Sequence, residues 1–431
     1  MSIKKNNLEV NIKLINHIKE IRSNIRDNFY QKSSLKDLSH LKTFTIDDPE
    51  TLEIDDAISL ERIDNYYKLW IHIASPAAHI NYNSEVDKYA RNLISTIYLS
   101  NSNIYMFPEI LINEVFSLSK NEKRASLSLG IIFNNDSSVS SFELVKSLIK
   151  PNYQLNYEEA DELIHYAPKE EEDLSIISRI LDKRKSIRKK LGAIEILEPY
   201  GKVIVNNNIP SIKVIDPTSS RLLISEAMIL YGYLISNYTK KNNIPVPYRV
   251  QESKLIETNK NNDFSENNFL YNYKLKKAIG KTYYSIQPNR HYNLGLNNYL
   301  QATSPIRRYS DLLVHYQINR FLDKEILISK EEIEKNILSI NSLGRENIIR
   351  YRDDQKIWLN KFLGKKTCSE YIVLFLEWIN KYKNICIIYF LEYNISSICY
   401  LKTKIEINSG DKVSIKLITK KFKDMLYFEF N

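Results

Sequence analysis

Six carboxylates fall within ten residues near the start of the chain, between Asp47 and Asp56 in the run TFTIDDPETLEIDDAISL. Crowded carboxylates repel one another and raise one another's pKa values, so a fold holds them at neutral pH only where water or a cation compensates the charge. Residues 43–46 and 67–73 alternate polar with apolar side chains, which predicts half-buried strands on both sides of the run. A solvated acidic turn is the alternative, but these flanks favour a loop held close to a core.

The acidic run offers oxygen ligands only, without histidine or cysteine. Such a set suits a hard ion, so we expect Mg²⁺, with Mn²⁺ as the alternative. The chain has 9 glycines and none of them forms a glycine-rich phosphate loop, which argues against a nucleotide cofactor. The 3 cysteines lie near the C-terminus without histidine partners, so neither a disulfide framework nor a zinc site is indicated.

Length and charge narrow the class of protein. A chain of 431 residues suits one large domain and a smaller one. The 61 Lys and Arg residues outnumber the 52 Asp and Glu residues, and the net charge of +9 favours polyanionic partners. No apolar stretch reaches the length of a membrane span, and the first residues lack a hydrophobic signal core, so we expect an intracellular protein without a membrane partner.

Periodicity predicts the order of the elements along the chain. Residues 1–40 are polar with a helical stretch at 14–29, which indicates an N-terminal helical extension. Strands are predicted from 41 to about 150, and an exposed loop at 253–272. Apolar residues at helical spacing predict further helices at 156–166, at 171–191 before Gly192, at a long segment capped by Thr218 or Ser219, and at about 305–321 and 331–362. The basic end of the 171–191 helix is either solvated or an RNA-binding surface.

The segment after Gly364 is rich in β-sheet formers. Five short runs, YIVLFLEWI, NICIIYFL, SSICYLKT, KVSIKLIT and LYFEF, occupy about sixty residues. They predict a small barrel of the oligonucleotide-binding (OB) kind, with a small sandwich as the alternative. The fold class predicted for the whole chain is α+β, with an N-terminal extension over 1–40, a large domain over 41–362 and a barrel over 363–431.

A second motif, YLQATSPIRRYSDLLVH at residues 299–315, predicts a helix capped by Thr303 or Ser304, with Pro305 at its first position. Arg307 and Arg308 would then lie in the first turn, where the helix dipole disfavours cations. A docked phosphate would explain them, because helix N–H groups and arginine forks are phosphate donors. A surface ion pair is the alternative.

At this point three segments resemble signatures of the ribonuclease II and ribonuclease R (RNB) family: TFTIDDPETLEIDDAISL, IHIASPAAHI and ATSPIRRYSDLLVH, in the same order. The resemblance covers about residues 41–360. It implies a catalytic domain in which a mixed sheet and surrounding helices enclose an RNA channel, followed by an OB-fold RNA-binding domain. It also implies a processive 3′ to 5′ hydrolytic exoribonuclease that degrades single-stranded RNA to nucleoside 5′-monophosphates.

The resemblance also implies roles for individual residues. The catalytic set would be Asp47, Glu53, Asp55, Asp56 and Arg307, with Asp47, Glu53 and Asp56 on the metal. Glu53 stands where the family has aspartate, and its extra methylene could shift the metal or bind it through water. Arg307 would grip the scissile phosphate, since it matches the family's phosphate-binding arginine.

Further residues are expected to bind RNA. Ser304 would assist Arg307, with Arg308 beside it, and Tyr98 would stack against the terminal bases. Tyr157 and Glu226 fall where the family reads the ribose 2′-hydroxyl, the group that distinguishes RNA from DNA. Helix packing is the alternative for Tyr157, and a role as a buried hydrogen-bonding partner is the alternative for Glu226.

Departures from the family leave other functions open. Ser75 replaces the usual aspartate after HIA, and the sequence does not show the cold-shock domains that usually precede this module. We therefore expect weaker and more salt-sensitive RNA binding. A catalytically impaired RNA-binding protein is the first alternative, and a structural subunit of a degradation complex is the second. We expect a monomer, in a bacterial cytoplasm or a plastid stroma.

Overall fold

The computed structural model describes residues 2–26, 34–64, 66–253, 269–364, 370–402, 406–422 and 425–430. A seven-stranded mixed sheet lies at its centre, with the strand order β1-β8-β7-β4-β3-β2-β9. Its strands are β1 (Lys36–Asp37), β2 (Thr43–Ile46), β3 (Asp56–Ile63), β4 (Tyr66–Ala74), β7 (Arg124–Phe133), β8 (Val139–Ile149) and β9 (Tyr153–Leu155). Three two-stranded sheets pair β5 (Ile97–Tyr98) with β6 (Asn103–Ile104), β10 (Tyr200–Asn206) with β11 (Ile209–Ile215), and β12 (Tyr248–Ser253) with β13 (Ile279–Ser285).

Helices cover both faces of the central sheet, which explains why its inner strands are buried on both sides. They are α1 (Ser2–Arg26), α2 (Glu85–Leu93), α3 (Glu109–Leu111), α4 (Tyr157–Tyr166), α5 (Asp173–Lys190), α6 (Ser219–Lys241), α7 (Phe269–Ala278), α8 (Tyr309–Leu322) and α9 (Lys330–Gly364). A π-helical turn at Ile112–Phe116 continues α3, and short 3₁₀ turns lie at Pro76–Ala78, Lys169–Glu171, Tyr292–Leu294 and Lys381–Lys383. One face packs mainly on α4, α5 and α6, and the opposite face on α2, α8 and α9.

The helices after the sheet begin and end close to the predicted positions. A capping box starts α4, since the Asn156 side chain accepts from the Glu159 backbone N–H and the Glu159 side chain accepts from the Asn156 N–H. The predicted helix from 305 to 321 instead begins at Tyr309, four residues later than expected. The reason is that residues 305–307 form a turn in which the Ser304 carbonyl accepts from the backbone N–H groups of Arg307 and Arg308.

The C-terminal segment forms a closed five-stranded barrel with the order β14-β15-β16-β18-β17, in which β17 also pairs with β14. Its strands are β14 (Glu370–Asn380), β15 (Ile385–Phe390), β16 (Ile395–Lys402), β17 (Lys412–Phe422) and β18 (Met425–Phe430). Only the β16–β18 pair is parallel among the described strands of the barrel, as in an OB fold. The α+β fold class with a terminal barrel is therefore confirmed, and the sandwich alternative is wrong.

The barrel and the N-terminal helix both pack on the rest of the molecule. Leu359 and Leu363 near the end of α9 lie in the barrel core. The Gly201 N–H in β10 donates to the Asn394 carbonyl at 2.7 Å, and a Cβ at position 201 would collide with a barrel carbonyl. Ile21 of α1 is buried in the core that also contains α2. The domain boundaries at 40/41 and 362/363 therefore stay predictions.

Two expectations concern the surface. The predicted exposed loop at 253–272 lies outside the described residues over most of its length. Within the described ranges, no helix combines the length and apolarity needed to cross a membrane.

Candidate active site

The two sequence motifs meet through Asp55. Its Oδ1 accepts a hydrogen bond from the Ile306 backbone N–H at 2.9 Å, and its Oδ2 accepts one from Arg307 Nε at 3.0 Å. The carboxylate is almost fully buried. Burial raises its pKa to about 6, although Arg307 and the Ile306 N–H act in the opposite direction. Residues about 250 positions apart in the chain thus form one site, as the motifs predicted.

Strand pairing brings the other two aspartates to the same edge of the sheet. Asp56 is the first residue of β3 and lies opposite Ile73 of β4. Asp47 directly follows β2, and its backbone N–H donates to the Leu155 carbonyl at the end of β9. Because β2 and β3 are antiparallel, the end of one strand and the start of the other lie side by side.

Asp47 and Asp56 each have one carboxylate oxygen that no described residue pairs with. The Oδ2 atoms of both residues are buried and have no hydrogen-bond partner within the part of the chain that the structure describes. Burial, followed by the charge of Asp55, raises the pKa of Asp56 to about 7. Burial and the charges of Asp56 and Asp55 raise the pKa of Asp47 well above its ordinary value. A buried pair of this kind is unfavourable unless protons or a cation neutralise it.

The unpaired oxygens fit a divalent cation held by two protein ligands. No group of three or more histidine, cysteine, aspartate or glutamate side chains with a metal-binding arrangement occurs among the described residues. Asp47, Glu53 and Asp56 therefore do not form such a group among the described residues, and their joint role as metal ligands stays a prediction. Two carboxylates still suit Mg²⁺, which usually keeps several waters and takes its remaining ligands from substrate phosphates.

Glu53 points to a different group of side chains. Its Oε1 accepts a hydrogen bond from Thr96 Oγ1 at 2.7 Å, and its Oε2 accepts one from the Tyr98 hydroxyl at 2.5 Å. The residue is 3% exposed. Burial raises its pKa to about 7, while the two hydroxyl donors lower it. Both carboxylate oxygens are thus engaged by Thr96, just before β5, and by Tyr98 in β5.

The positive charge of Arg307 acts on the acidic pair, since it lowers the pKa values of both Asp47 and Asp56. Its side chain is 37% exposed. Asp55 holds the Nε, and no other hydrogen bond of this guanidinium is found within the described ranges. Its two terminal nitrogens can therefore meet an anion.

Arg308 is engaged inside the protein. Its Nε and Nη2 donate to Asp311 Oδ2 at 3.0 and 2.7 Å, and its Nη2 also donates to Thr303 Oγ1. The same Asp311 oxygen accepts from the Ser304 backbone N–H at 2.9 Å. Arg308 and Ser304 therefore shape the loop that carries Arg307. The spacing of Arg308 and Asp311 by three residues was a signal for this pair in the sequence.

Tyr157 lies beside the acidic pair at the first position of α4. Burial raises its pKa, and the charges of Asp47 and Asp56 raise it further. The Arg221 guanidinium lies 3.7 Å from the centroid of the Tyr157 ring and donates to Asp48 Oδ1 at 2.8 Å. Sequence reasoning missed Arg221, since no motif marks it at the start of α6.

Glu226 is buried in an ion pair on α6. The Arg188 guanidinium donates to both of its oxygens, with Nε–Oε1 at 2.9 Å and Nη2–Oε2 at 2.6 Å. Arg188 also lines a groove of about 860 Å³ between β8, α5 and α6, which none of the predicted site residues line. The expected contact of Glu226 with the ribose stays a prediction, and the pair with Arg188 matches the alternative.

One further carboxylate supports the segment that carries Tyr98. Asp354 of α9 accepts hydrogen bonds from the Ser100 backbone N–H at 2.7 Å and from its hydroxyl at 2.6 Å. Sequence reasoning assigned no residue in this part of α9. A contact between positions 254 residues apart left no local signal.

Comparison with known proteins identifies relatives of the whole arrangement. The sequence model of the RNB domain family matches residues 35–324 of this chain. An uncharacterized ribonuclease of Synechocystis is 32% identical over 386 residues, which cover 88% of this chain and 57% of that protein. A chloroplastic/mitochondrial ribonuclease II of Arabidopsis thaliana is 33% identical over 341 residues, covering 77% and 42%. The chain thus spans about half the length of the curated relatives it matches.

Solved structures share the fold. RNase R of Mycoplasma genitalium in complex with ribose methylated single-stranded RNA matches with a TM-score of 0.83 at 22% identity, covering 94% of this chain and 73% of that one. Yeast Ssd1, a pseudonuclease, matches with a TM-score of 0.69 at 17% identity, covering 89% and 52%. The fold therefore occurs both in ribonucleases and in a pseudonuclease, so the site must decide the function.

Proposed function

Because this chain belongs to the RNB domain family, we propose that it is a 3′ to 5′ exoribonuclease that hydrolyses single-stranded RNA to nucleoside 5′-monophosphates. One observation carries the proposal. The buried Oδ2 atoms of Asp47 and Asp56 have no partner among the described residues, and the half-exposed Arg307 lies beside them. A protein that only bound RNA would gain nothing from two unneutralised carboxylates next to a phosphate site, because the carboxylates repel the RNA phosphates.

The chain's own groups divide the work at the scissile phosphate. Asp47 and Asp56 would hold Mg²⁺, with Mn²⁺ as the alternative. When bound, the metal supplies Lewis-acid stabilisation of the phosphate and lowers the pKa of water. Arg307 binds the phosphoryl oxygens and stabilises the charge that grows on them as the terminal nucleotide leaves. Asp55 orients the Arg307 guanidinium through its Nε.

The remaining predicted residues are proposed to bind the RNA around this centre. Tyr98 stacks on a terminal base, and stacking of this kind tolerates every sequence. Tyr157 and Glu226 distinguish ribose from deoxyribose, and Ser304 and Arg308 hold the phosphate-binding loop in shape. The C-terminal barrel guides the strand towards the site, as OB folds do for single strands.

The proposal extends to wider features of the protein. It acts as a monomer on RNA without a nucleotide cofactor. The cyanobacterial and the chloroplastic/mitochondrial relatives support a bacterial cytoplasm or a plastid stroma as its location.

The test incubates the purified full chain with 5′-labelled single-stranded RNA in magnesium, in manganese and in EDTA, beside a DNA of the same sequence. We expect a ladder that ends in short products only with RNA and metal. A mobility shift without shortening would instead support a catalytically impaired RNA-binding protein. That candidate is favoured by the likeness to a pseudonuclease and by the presence of Glu53 at a position the family fills with aspartate.

A further inference from the structure

Glu53 differs from the neighbouring carboxylates in having both oxygens satisfied. It accepts one hydrogen bond from Thr96 and one from Tyr98, whereas Asp47 and Asp56 each leave one oxygen without a partner among the described residues. From this contrast we infer that Glu53 is a positioning residue for Tyr98 and not a metal ligand, and that it sets the length at which RNA degradation stops. The inference rests on the proposed exoribonuclease function and on the stacking role proposed for Tyr98.

The segment that carries Tyr98 needs an anchor. Strand β5 has two residues and, among the described strands, pairs only with the equally short β6. Thr96, which precedes it, accepts from the Met106 backbone N–H at 2.9 Å and donates its own N–H to the Arg307 carbonyl at 3.1 Å. The carboxylate of Glu53 therefore ties the Tyr98 ring to the same segment that supports the Arg307 loop.

The length of the side chain decides whether Glu53 reaches these hydroxyls. Its backbone position is fixed from the next residue, because the Ile54 N–H donates to Ser117 Oγ at 3.2 Å and the Ile54 carbonyl accepts from the Leu118 N–H at 3.0 Å. With the backbone held, an aspartate would place its oxygens about one carbon–carbon bond short of the Tyr98 and Thr96 hydroxyls. A glutamine would keep the reach and lose the charge.

A loosened Tyr98 affects short RNA more than long RNA. A long strand has many phosphate contacts with the basic protein, so one stacked base adds little to its binding. The last few nucleotides depend on few contacts, and a stacked base contributes about a tenfold gain in affinity. Poor stacking should therefore stop degradation earlier and raise the KM for very short substrates, with little change in kcat on long RNA.

Reciprocal variants separate positioning from metal binding. If Glu53 positions Tyr98, Glu53→Asp and Tyr98→Phe both lengthen the final product by one or more nucleotides and raise the KM for a tetranucleotide by roughly tenfold. The double variant is then no worse than either single one. Glu53→Gln keeps the reach to both hydroxyls, so it lengthens the product less than Glu53→Asp does and leaves the magnesium concentration for half-maximal activity unchanged. Glu50→Asp, at an exposed position in the same loop, serves as the matched control.

Metal ligation by Glu53 predicts the reverse pattern. Glu53→Gln would then raise the magnesium concentration for half-maximal activity by about tenfold or more, and Glu53→Asp would behave as the wild type. That result overturns the inference. So does an unchanged product length in Glu53→Asp and Tyr98→Phe, provided that their thermal unfolding shows folded protein.

A binding measurement keeps this test separate from the exoribonuclease proposal. RNA that ends in the fluorescent base 2-aminopurine is titrated with the full chain in EDTA, where no hydrolysis is expected. Stacking on Tyr98 quenches the fluorescence in the wild type and in Glu53→Gln, and less in Glu53→Asp. Equal quenching in all three overturns the positioning role, whereas normal quenching combined with no cleavage in magnesium overturns the nuclease proposal alone.

Discussion

The two faces of the central sheet both carry buried polar groups, but the groups are satisfied to different degrees. Asp56, at the start of β3 on the face of Ile58, and Asp47, which directly follows β2, each have one oxygen without a partner among the described residues. On the face of Ala57, a row of hydroxyl groups and one imidazole crosses five strands. Two members of this row, Thr43 on β2 and Ser59 on β3, lie within four residues of Asp47 and Asp56 along the chain.

The polar row on the second face is fully connected. His72 lies between Ser59, at 3.0 Å from Nε2, and Ser128, at 2.6 Å from Nδ1. The connection continues on one side to Thr43 and on the other through Ser126 and Ser147, all by hydroxyl contacts. Burial lowers the pKa of His72 to about 3, so the ring is neutral at physiological pH.

The difference separates structure from function. A buried network whose members are all paired can specify strand register and requires nothing from outside. A pair of buried carboxylates with unpaired oxygens is stable only with protons or a cation, so it indicates a binding site. Burial of polar residues alone would have made the two faces look alike.

The largest effect is expected from removing the charge of one of the two unpaired carboxylates. Asp56→Asn should lower the rate of RNA hydrolysis by about a thousandfold or more, because it removes one of two metal-binding carboxylates, while RNA affinity changes little. Single-turnover cleavage and a filter-binding assay measure the two quantities. Asp48→Asn is the matched control, since Asp48 is half-exposed and already pairs with Arg221. Wild-type turnover in Asp56→Asn would remove the basis of the comparison.

The two arginines of the SPIRR loop give the next largest effect. Arg307→Lys should reduce kcat by roughly a hundredfold, because a lysine cannot keep the Asp55 contact and hold two phosphate oxygens at once. Arg308→Lys changes a pair with Asp311 that lies inside the loop, so its main effect should be a lower free energy of unfolding. If both variants lose activity equally at full folding, Arg308 also contacts the substrate.

The two faces should respond to pH with opposite signs. The raised pKa of Asp56, about 7, gives a stability contribution that is fully present below its ordinary pKa and is lost as pH rises through 7. The lowered pKa of His72, about 3, gives a contribution that is present above 6.5 and is lost as pH falls towards 3. In the metal-free wild type, Asp56 should therefore lower the free energy of unfolding most at pH 8, and His72 should lower it at pH 5 but not at pH 8.

Urea unfolding in EDTA at pH 5 and pH 8 measures this contrast. Relative to wild type, Asp56→Asn should gain on the order of 2 kcal/mol in free energy of unfolding between pH 5 and pH 8. His72→Leu should lose a similar amount, on the order of 2 kcal/mol, over the same interval. Magnesium at pH 8 should stabilise the wild type and leave Asp56→Asn nearly unchanged. Equal slopes for the two variants would contradict the assignment of the faces.

Local patterns were sufficient for the parts of the molecule that local interactions determine. The capping box at Asn156 and the alternation along β3 and β4 act over a few residues, so the helix and strand positions were predictable. The meeting of Asp55 with Arg307 was predicted from two motifs together. The direction of Glu53 was not, because Thr96 and Tyr98 reach it only in the folded chain. The late start of α8 was missed because Asp311, inside the helix, accepts from the Ser304 N–H and from Arg308 before the helix begins.

The smallest expected effect comes from a contact beside the Asp47–Asp56 pair, where Arg221 stacks on Tyr157 and pairs with Asp48. Removing the stack with Arg221→Gln should leave the metal pair intact and loosen Tyr157, which is proposed to read the ribose. We expect the ratio of kcat/KM on RNA to that on a substrate with one 2′-deoxynucleotide near its 3′ end to fall by about fivefold. Arg221→Lys keeps a cation over the Tyr157 ring, so its ratio should lie between those of the wild type and Arg221→Gln. If Arg221→Gln instead lowers kcat/KM by the same factor on RNA and on the deoxy-substituted substrate, Arg221 binds the RNA phosphates and does not act through Tyr157. The functional site would then extend beyond Asp47 and Asp56.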